Sequence, residues 1–288
     1  MVRLSAPEAA LRASEKGTVS LGDISVAFAR LGEGQPVIFV HGLAEDKESW
    51  SQVVARLPPG VRAHLLDLRG HGGSTVGQGN GTVSQLAGDL AAYLEKVTGP
   101  AVCVGFSLGG VVVLEAALQR PDLVRRAVVI GTSSKVGRAA AGFFEARIRQ
   151  ATSDIDGFRR ALAEDTDAQV LRNRQELAAI AARRIAAVGD GAGYVNAARA
   201  MVGLAAAPMT ERLRDIRVPV HIIQGENDAF CPLKAAEILR EAMPDAGYAE
   251  IPDAGHLIAA DQPDLLAGEL SRVLAGTIIQ SKGEADER

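Results

Sequence analysis

Cysteine is nearly absent from this 288-residue chain, which has only Cys103 and Cys231. Two thiols so far apart make no disulfide framework, and they fit a reducing compartment. Cys103 sits in the apolar run Ala-Val-Cys-Val as a small core residue, and Cys231 lies in a loop, where an inert thiol is the stronger reading and contact with substrate the alternative. Aromatics are scarce at 4%, so Ala, Leu, Val and Gly must fill the core. No apolar run approaches the ~20 residues of a membrane span. Met1 to Gly17 mixes charges with short Ala/Leu patches and lacks the continuous apolar centre of a secretory leader. The expected location is the cytoplasm, where the sequon Asn80-Gly81-Thr82 has no use. An excess of basic charge is also missing: the net charge is −4 and the pI about 5.8. That excludes the electrostatic footprint of nucleic-acid binding, and no Lys/Arg cluster rides on an apolar helix as a membrane-surface segment would. The expected partner is a small-molecule substrate, with no nucleic acid, membrane, metal or cofactor; a homo-oligomer stays open.

What is present is a rhythm. Ile24–Arg30 alternates polar and apolar as a half-buried strand, and Pro36–Val40 is a short continuous apolar run ending in His41-Gly42. Val61–Leu66 is a strand before Asp67-Leu68-Arg69-Gly70-His71-Gly72, and Thr82–Val97 reads as a helix. The strand Ala101–Val104, the helix Val111–Gln119 and the strand Arg126–Ile130 follow. This β-α-β alternation predicts a mostly parallel sheet with helices on both faces. From Ser134 to Arg217 strand candidates vanish, and helices are predicted over 143–151, 157–163, 168–188 and 193–204. That segment carries 14 basic against 10 acidic residues. The strand–helix pattern resumes with 219–224, 232–243, 249–251 and 263–275, and the polar tail 281–288 reads as disordered. The division is an α/β core of 1–133 and 218–288, interrupted by a helical segment of 134–217.

Gly105-Phe106-Ser107-Leu108-Gly109 follows a strand and opens a helix, the context of a nucleophile elbow. A sharp turn of this kind packs against neighbouring backbone, so the positions flanking the serine need residues without side chains. The helix N-terminus behind it favours developing negative charge. Alone, such a pentapeptide can arise by chance in a Gly-rich chain. Its context raises its weight, and so do partners in the right order. On this arrangement the order is Ser, then an acid, then His. Of five histidines, His256 follows the last strand in a loop able to lean over Ser107, and His221, inside an apolar strand, reads as structural. Asp228, in Gly225-Glu226-Asn227-Asp228 at a strand end, is the acid, with Glu226 the nearest competitor. Backbone N–H groups of Leu108 and of Leu43, after His41-Gly42, would receive the oxyanion.

With these pieces and Trp50, Arg69-Gly70-His71-Gly72-Gly73-Ser74 and Asp253-Ala254-Gly255-His256, the chain resembles the α/β-hydrolase family over residues 20 to 275. The resembling branch holds enol-lactonases, small-ester esterases, cofactor-free haloperoxidases and C–C hydrolases. The resemblance implies an α/β-hydrolase fold, a triad of Ser107, Asp228 and His256, and a helical cap at 134–217. Serine at the nucleophile position disfavours dehalogenase and epoxide hydrolase chemistry. Phe106, Phe143, Phe144 and Leu257 are candidates for an apolar substrate pocket. Among the cap arginines, Arg138, Arg147, Arg149, Arg159 and Arg160 are candidates to clamp a carboxylate, set against solvated helix faces. The expected activity is hydrolysis of a small carboxylic ester or lactone. A C–C or amide bond cleaved by the same triad, and a non-catalytic small-molecule receptor, are the alternatives.

Overall fold

A computed structural model describes residues 14–286, with side chains as far as residue 275. Eight strands form one sheet: β1 (Glu15–Leu21), β2 (Ile24–Leu31), β3 (Gly34–Val40), β4 (Gly60–Leu66), β5 (Ala101–Phe106), β6 (Val124–Ile130), β7 (Val220–Gly225) and β8 (Gly247–Ile251). Their spatial order is β1-β2-β4-β3-β5-β6-β7-β8. β1 and β2 pair antiparallel, as do β2 and β4, and every later pairing is parallel. This is the α/β-hydrolase fold. Every residue of β5 is buried, because helices cover both faces of the sheet and leave no polar side to alternate with. One face packs against α1 (Val83–Tyr93) and α2 (Leu108–Gln119), with Leu86, Leu90, Val111 and Leu114 in the shared core. The opposite face packs against α8 (Pro263–Asp286) through Leu266, Leu270 and Leu274, with Trp50 and Phe39 beside them.

Between β6 and β7 the chain leaves the sheet for four helices: α3 (Arg138–Ser153), α4 (Ile155–Gln169), α5 (Leu177–Val188) and α6 (Ala192–Ala206), and α7 (Leu233–Ala242) joins β7 to β8. The four form their own small core around Phe158, Leu162, Val188 and Tyr194. This insertion is seated on the sheet by backbone as well as side chains. A Cβ at Gly193 would lie 2.0 Å from the Gly70 carbonyl oxygen, so α6 can approach that turn only with glycine there. The Gly72 N–H donates to Ala187 O at 2.9 Å, and the Asn196 Oδ1 accepts from Gly81 N–H at 2.7 Å.

Three expectations are corrected. Of the predicted helix over 168–188 only Leu177–Val188 forms one; residues 168–169 end the preceding helix, and the stretch between them is held in tertiary bonds to Asp261. β1 was not anticipated; it lies at the sheet edge, its outer face is largely exposed, and its apolar signal is correspondingly weak. The tail, read as disordered, continues α8 as far as Asp286; the stretch from Gly276 to that point holds no proline to stop it. Residues 287–288 lie outside the described residues, as does most of the N-terminal stretch read for a leader. No helix among the described residues is long and apolar enough to cross a membrane.

The turn after β4 is held by one arginine. The guanidinium of Arg69, 3% exposed, spends all five N–H groups: on Asp89 at 2.7 and 2.8 Å, on Asp23 at 2.9 and 3.0 Å, and on Val76 O at 3.0 Å. Such a network tolerates no partial loss, because removing the cation strands the mostly buried Asp89. Arg69→Leu should therefore cost about 3–5 kcal/mol of unfolding free energy by urea titration. A loss under about 1 kcal/mol would mean that the network behaves as a solvated surface pair.

Candidate active site

The loops at the carboxyl ends of β3, β5, β7 and β8 converge, the position where open α/β sheets carry ligands. Ser107 stands between β5 and α2 with φ +51° and ψ −116°, outside the regions a side chain ordinarily occupies. Such strain costs on the order of 1–3 kcal/mol and persists only where the surroundings impose it. They do so here. A Cβ at Gly105 would lie 2.2 Å from Gly109 O, and one at Gly109 would lie 2.2 Å from Val40 O. The first turn of α2 is thus pressed onto both its own strand and the end of β3, and the serine is the residue forced upward.

His256 and Asp228 reach Ser107 from the far strands. His256 Nε2 is 3.1 Å from Ser107 Oγ, and His256 Nδ1 is 2.8 Å from Asp228 Oδ2. The other carboxylate oxygen of Asp228 accepts N–H groups from Phe230 at 2.9 Å and Cys231 at 2.8 Å, which leaves Oδ2 for the imidazole. Asp228 and His256 are both buried. Glu226, the competitor for the acid, instead accepts from the Asp253 N–H at 2.8 Å and does not touch His256. Leu108 N–H begins α2, where no preceding helical carbonyl can receive it, and Leu43 lies in the loop after β3.

The remaining histidines have structural partners. Burial, with the His71 charge adding to it, takes the His41 imidazole down to about 3, so it is neutral. Its Nδ1 donates to Gly42 O at 2.8 Å and its Nε2 accepts from Leu68 N–H at 2.9 Å, which shapes the His-Gly turn. His64 meets Tyr93 Oη at 2.9 Å, and His221 meets Glu269 at 2.7 Å. Burial pushes both thiols up, Cys103 to about 12, and the Asp228 charge adds to the effect at Cys231.

A cavity of about 600 Å³ opens above Ser107, between the sheet loops and the insertion. Phe106, Phe143, Phe144 and Leu257 all line it. Phe230, which sequence reasoning missed, stacks on the His256 ring at 5.6 Å between centroids, and Phe106 packs on the same ring at 4.9 Å. Its only signal in the sequence is its place two residues after Asp228. None of the five arginines singled out lines this cavity. Arg147 is tied to Asp165 at 2.7 and 2.8 Å, Arg159 to Asp156 at 3.1 Å, and Arg138, Arg149 and Arg160 are exposed. The arginine that does line it is Arg184.

The His256 loop is fastened to the insertion by Asp261, 6% exposed. Its carboxylate accepts N–H groups from Gly255 at 2.9 Å, Leu171 at 3.0 Å, Arg172 at 2.9 Å and Asn173 at 3.3 Å. Gln169 O accepts from Leu257 N–H at 3.3 Å. These bonds are what interrupt the expected long helix: backbone donors that helix would have used point at a carboxylate 90 residues away.

The alpha/beta hydrolase family model matches residues 37–269. The chain is 34% identical over 227 residues to a pimeloyl-[acyl-carrier protein] methyl ester esterase of Aromatoleum aromaticum, covering 74% of this chain and 87% of that protein. It is 31% identical to a putative non-heme bromoperoxidase of Mycobacterium tuberculosis, covering 79% and 89% respectively. Among solved structures, the enol-lactonase of Burkholderia xenovorans superposes with a TM-score of 0.81 at 23% identity, over 90% of this chain and all of that one.

Asp261→Ala would leave several buried donors unpaired, at roughly 1–3 kcal/mol for each one stranded. The variant should lose at least about 2 kcal/mol of stability, and amide exchange should quicken at residues 171–173 and 255. Unchanged exchange there would mean that the clamp carries no local stability.

Proposed function

The chain belongs to the alpha/beta hydrolase family, and from that premise we propose that it hydrolyses a small carboxylic ester or lactone through an acyl-enzyme on Ser107. The observation that carries this reading is the continuous chain from Asp228 Oδ2 through the His256 ring to Ser107 Oγ, with links of 2.8 and 3.1 Å. In the neutral imidazole, Nδ1–H donates to Asp228, and the lone pair on Nε2 accepts the Ser107 hydroxyl proton as Oγ attacks the carbonyl carbon. The tetrahedral oxyanion would be received by the N–H groups of Leu108 and Leu43. His256 then returns the proton to the leaving alcohol, and a water deprotonated by the same nitrogen releases the acid. Asp228 holds the tautomer and stabilises the imidazolium. The esterase name of the Aromatoleum relative supports an ester as the bond cleaved.

The cavity above the serine supports an apolar or mixed acyl group, with Phe106, Phe143, Phe144 and Leu257 as its walls. Its size is that of a small-molecule site.

With p-nitrophenyl butyrate, the wild type should release p-nitrophenol in a burst of one equivalent per active site when deacylation is slower than acylation. Ser107→Ala should abolish turnover and labelling by a fluorophosphonate. Asp228→Asn should lower kcat by about 10³–10⁴ through the wrong imidazole tautomer. A wild type that neither turns over activated esters nor takes the label would overturn the proposal.

A further inference from the structure

The cavity above Ser107 is apolar along most of its wall but has a polar pole on the insertion side, formed by Arg184 of α5, Gln169 of α4 and Tyr194 of α6. Arg184 is 6% exposed. Its Nη1 donates to Thr166 Oγ1 at 2.8 Å, its Nε to Ala44 O at 3.3 Å and its Nη2 to Leu43 O at 3.4 Å. A guanidinium has five N–H donors, so one on each terminal nitrogen has no partner among the described residues. Nor does any described carboxylate lie within ion-pair distance of it, in contrast to Arg69 and Arg147. The acid it acts on most strongly is Glu45, whose carboxyl is pushed up by burial and down by the Arg184 charge. Asp165, which also lines the cavity, is already paired with Arg147.

Gln169 lines the same pole. It is 5% exposed, and its side-chain oxygen is buried with no hydrogen-bond partner. The side-chain amide of Gln169 and the hydroxyl of Tyr194 make no hydrogen bond among the described residues. A buried cation with two N–H groups unpartnered among the described residues thus shares one pole of the cavity with an amide and a hydroxyl. A carboxylate would complete the donor side of this arrangement, accepting from the spare N–H groups of Arg184, from Gln169 Nε2 and from the Tyr194 hydroxyl; Gln169 Oε1, an acceptor, calls for a donor instead. The cavity's other cations, Lys135 and Lys234, are exposed, and Lys234 pairs with Glu237. Their charge is screened by solvent.

Resting on the hydrolase reading above, we propose that Arg184, with Gln169 and Tyr194, binds a carboxylate on the acyl part of the substrate, which makes the substrate class hemiesters or carboxylated lactones of short dicarboxylic acids. The short chain follows from position. Arg184 bonds the carbonyls of Leu43 and Ala44, and Leu43 also bears the proposed oxyanion donor. The bound carboxylate and the reacting carbonyl are therefore separated by little more than the width of that loop.

Arg184 also ties the loop after β3 to α4, and the test must separate that positioning role from binding. The probes are mono-p-nitrophenyl glutarate and its neutral counterpart p-nitrophenyl pentanoate, compared by kcat/KM in wild type, Arg184→Gln and Arg184→Lys. The wild type should favour the hemiester by roughly ten- to a hundredfold, the value of a desolvated charge-assisted pair. Arg184→Gln should bring the ratio near one, Arg184→Lys should restore part of it, and glutarate should inhibit the wild type competitively. A purely positioning role would lower both substrates together and leave the ratio intact, which overturns the proposal. So does a wild type that takes the neutral ester equally well, a result available even where the variants fail to fold. A wild type that cleaves neither ester and resists the fluorophosphonate overturns the hydrolase reading, and this subsite with it.

Discussion

The close approach of α2 to the end of β3 is the constraint on which the site depends. Only glycine at positions 105 and 109 lets the helix start come within contact of the Val40 and Gly109 carbonyls, and that contact drives Ser107 into its strained backbone conformation. The same approach sets the first N–H of α2 beside the loop after β3, where the His41 ring bridges Gly42 O and Leu68 N–H. A neutral, buried imidazole is suited to that task because it offers one donor and one acceptor with no charge to desolvate. The strain at the serine is borne by the sheet. β5 is buried along its whole length and paired on both sides, so the turn has no freedom to relax.

The insertion is joined to this centre by two buried ionic side chains with different partners. Asp261 gathers backbone N–H groups from the insertion and from the His256 loop, which sets the position of the imidazole relative to α4. Arg184 runs the other way, from α5 to the carbonyls of the loop after β3. Asp261 is fully engaged and acts as a fastener. Arg184 lines a cavity and keeps donors without a partner among the described residues, and that difference separates structural cement from a binding group. The arrangement couples the acyl pocket's shape to the groups proposed to do chemistry, so movement of α4 or α5 would be felt at both Leu43 and His256.

Much of this was legible in the chain. Short apolar runs alternating with helical periodicity announced the parallel sheet, and Gly-Phe-Ser-Leu-Gly announced the elbow, because steric rules of backbone packing act on neighbouring residues. The order Ser107, Asp228, His256 was legible too, since chain order follows strand order on this fold. Phe230, Gln169, Arg184 and Asp261 were not. Each matters through a partner far away in sequence: Asp261 lies about 90 residues from the backbone it holds, and Arg184 about 140 from the loop it reaches. In a helix rich in Ala and Arg, nothing local distinguishes a buried arginine from the solvated ones around it.

The sequence by itself determined the architecture and the chemical identity of the candidate centre, through periodicity, glycine placement and the types of side chain available. Tertiary structure decided which charges are solvated and which are not. Arg138, Arg147, Arg149, Arg159 and Arg160 look like Arg184 on paper, yet they are exposed or neutralised, and Arg184 alone among them is buried beside the cavity without a counter-ion among the described residues. Burial and pairing are properties of the packed chain. They depend on how the insertion sits on the sheet, and no local pattern encodes that.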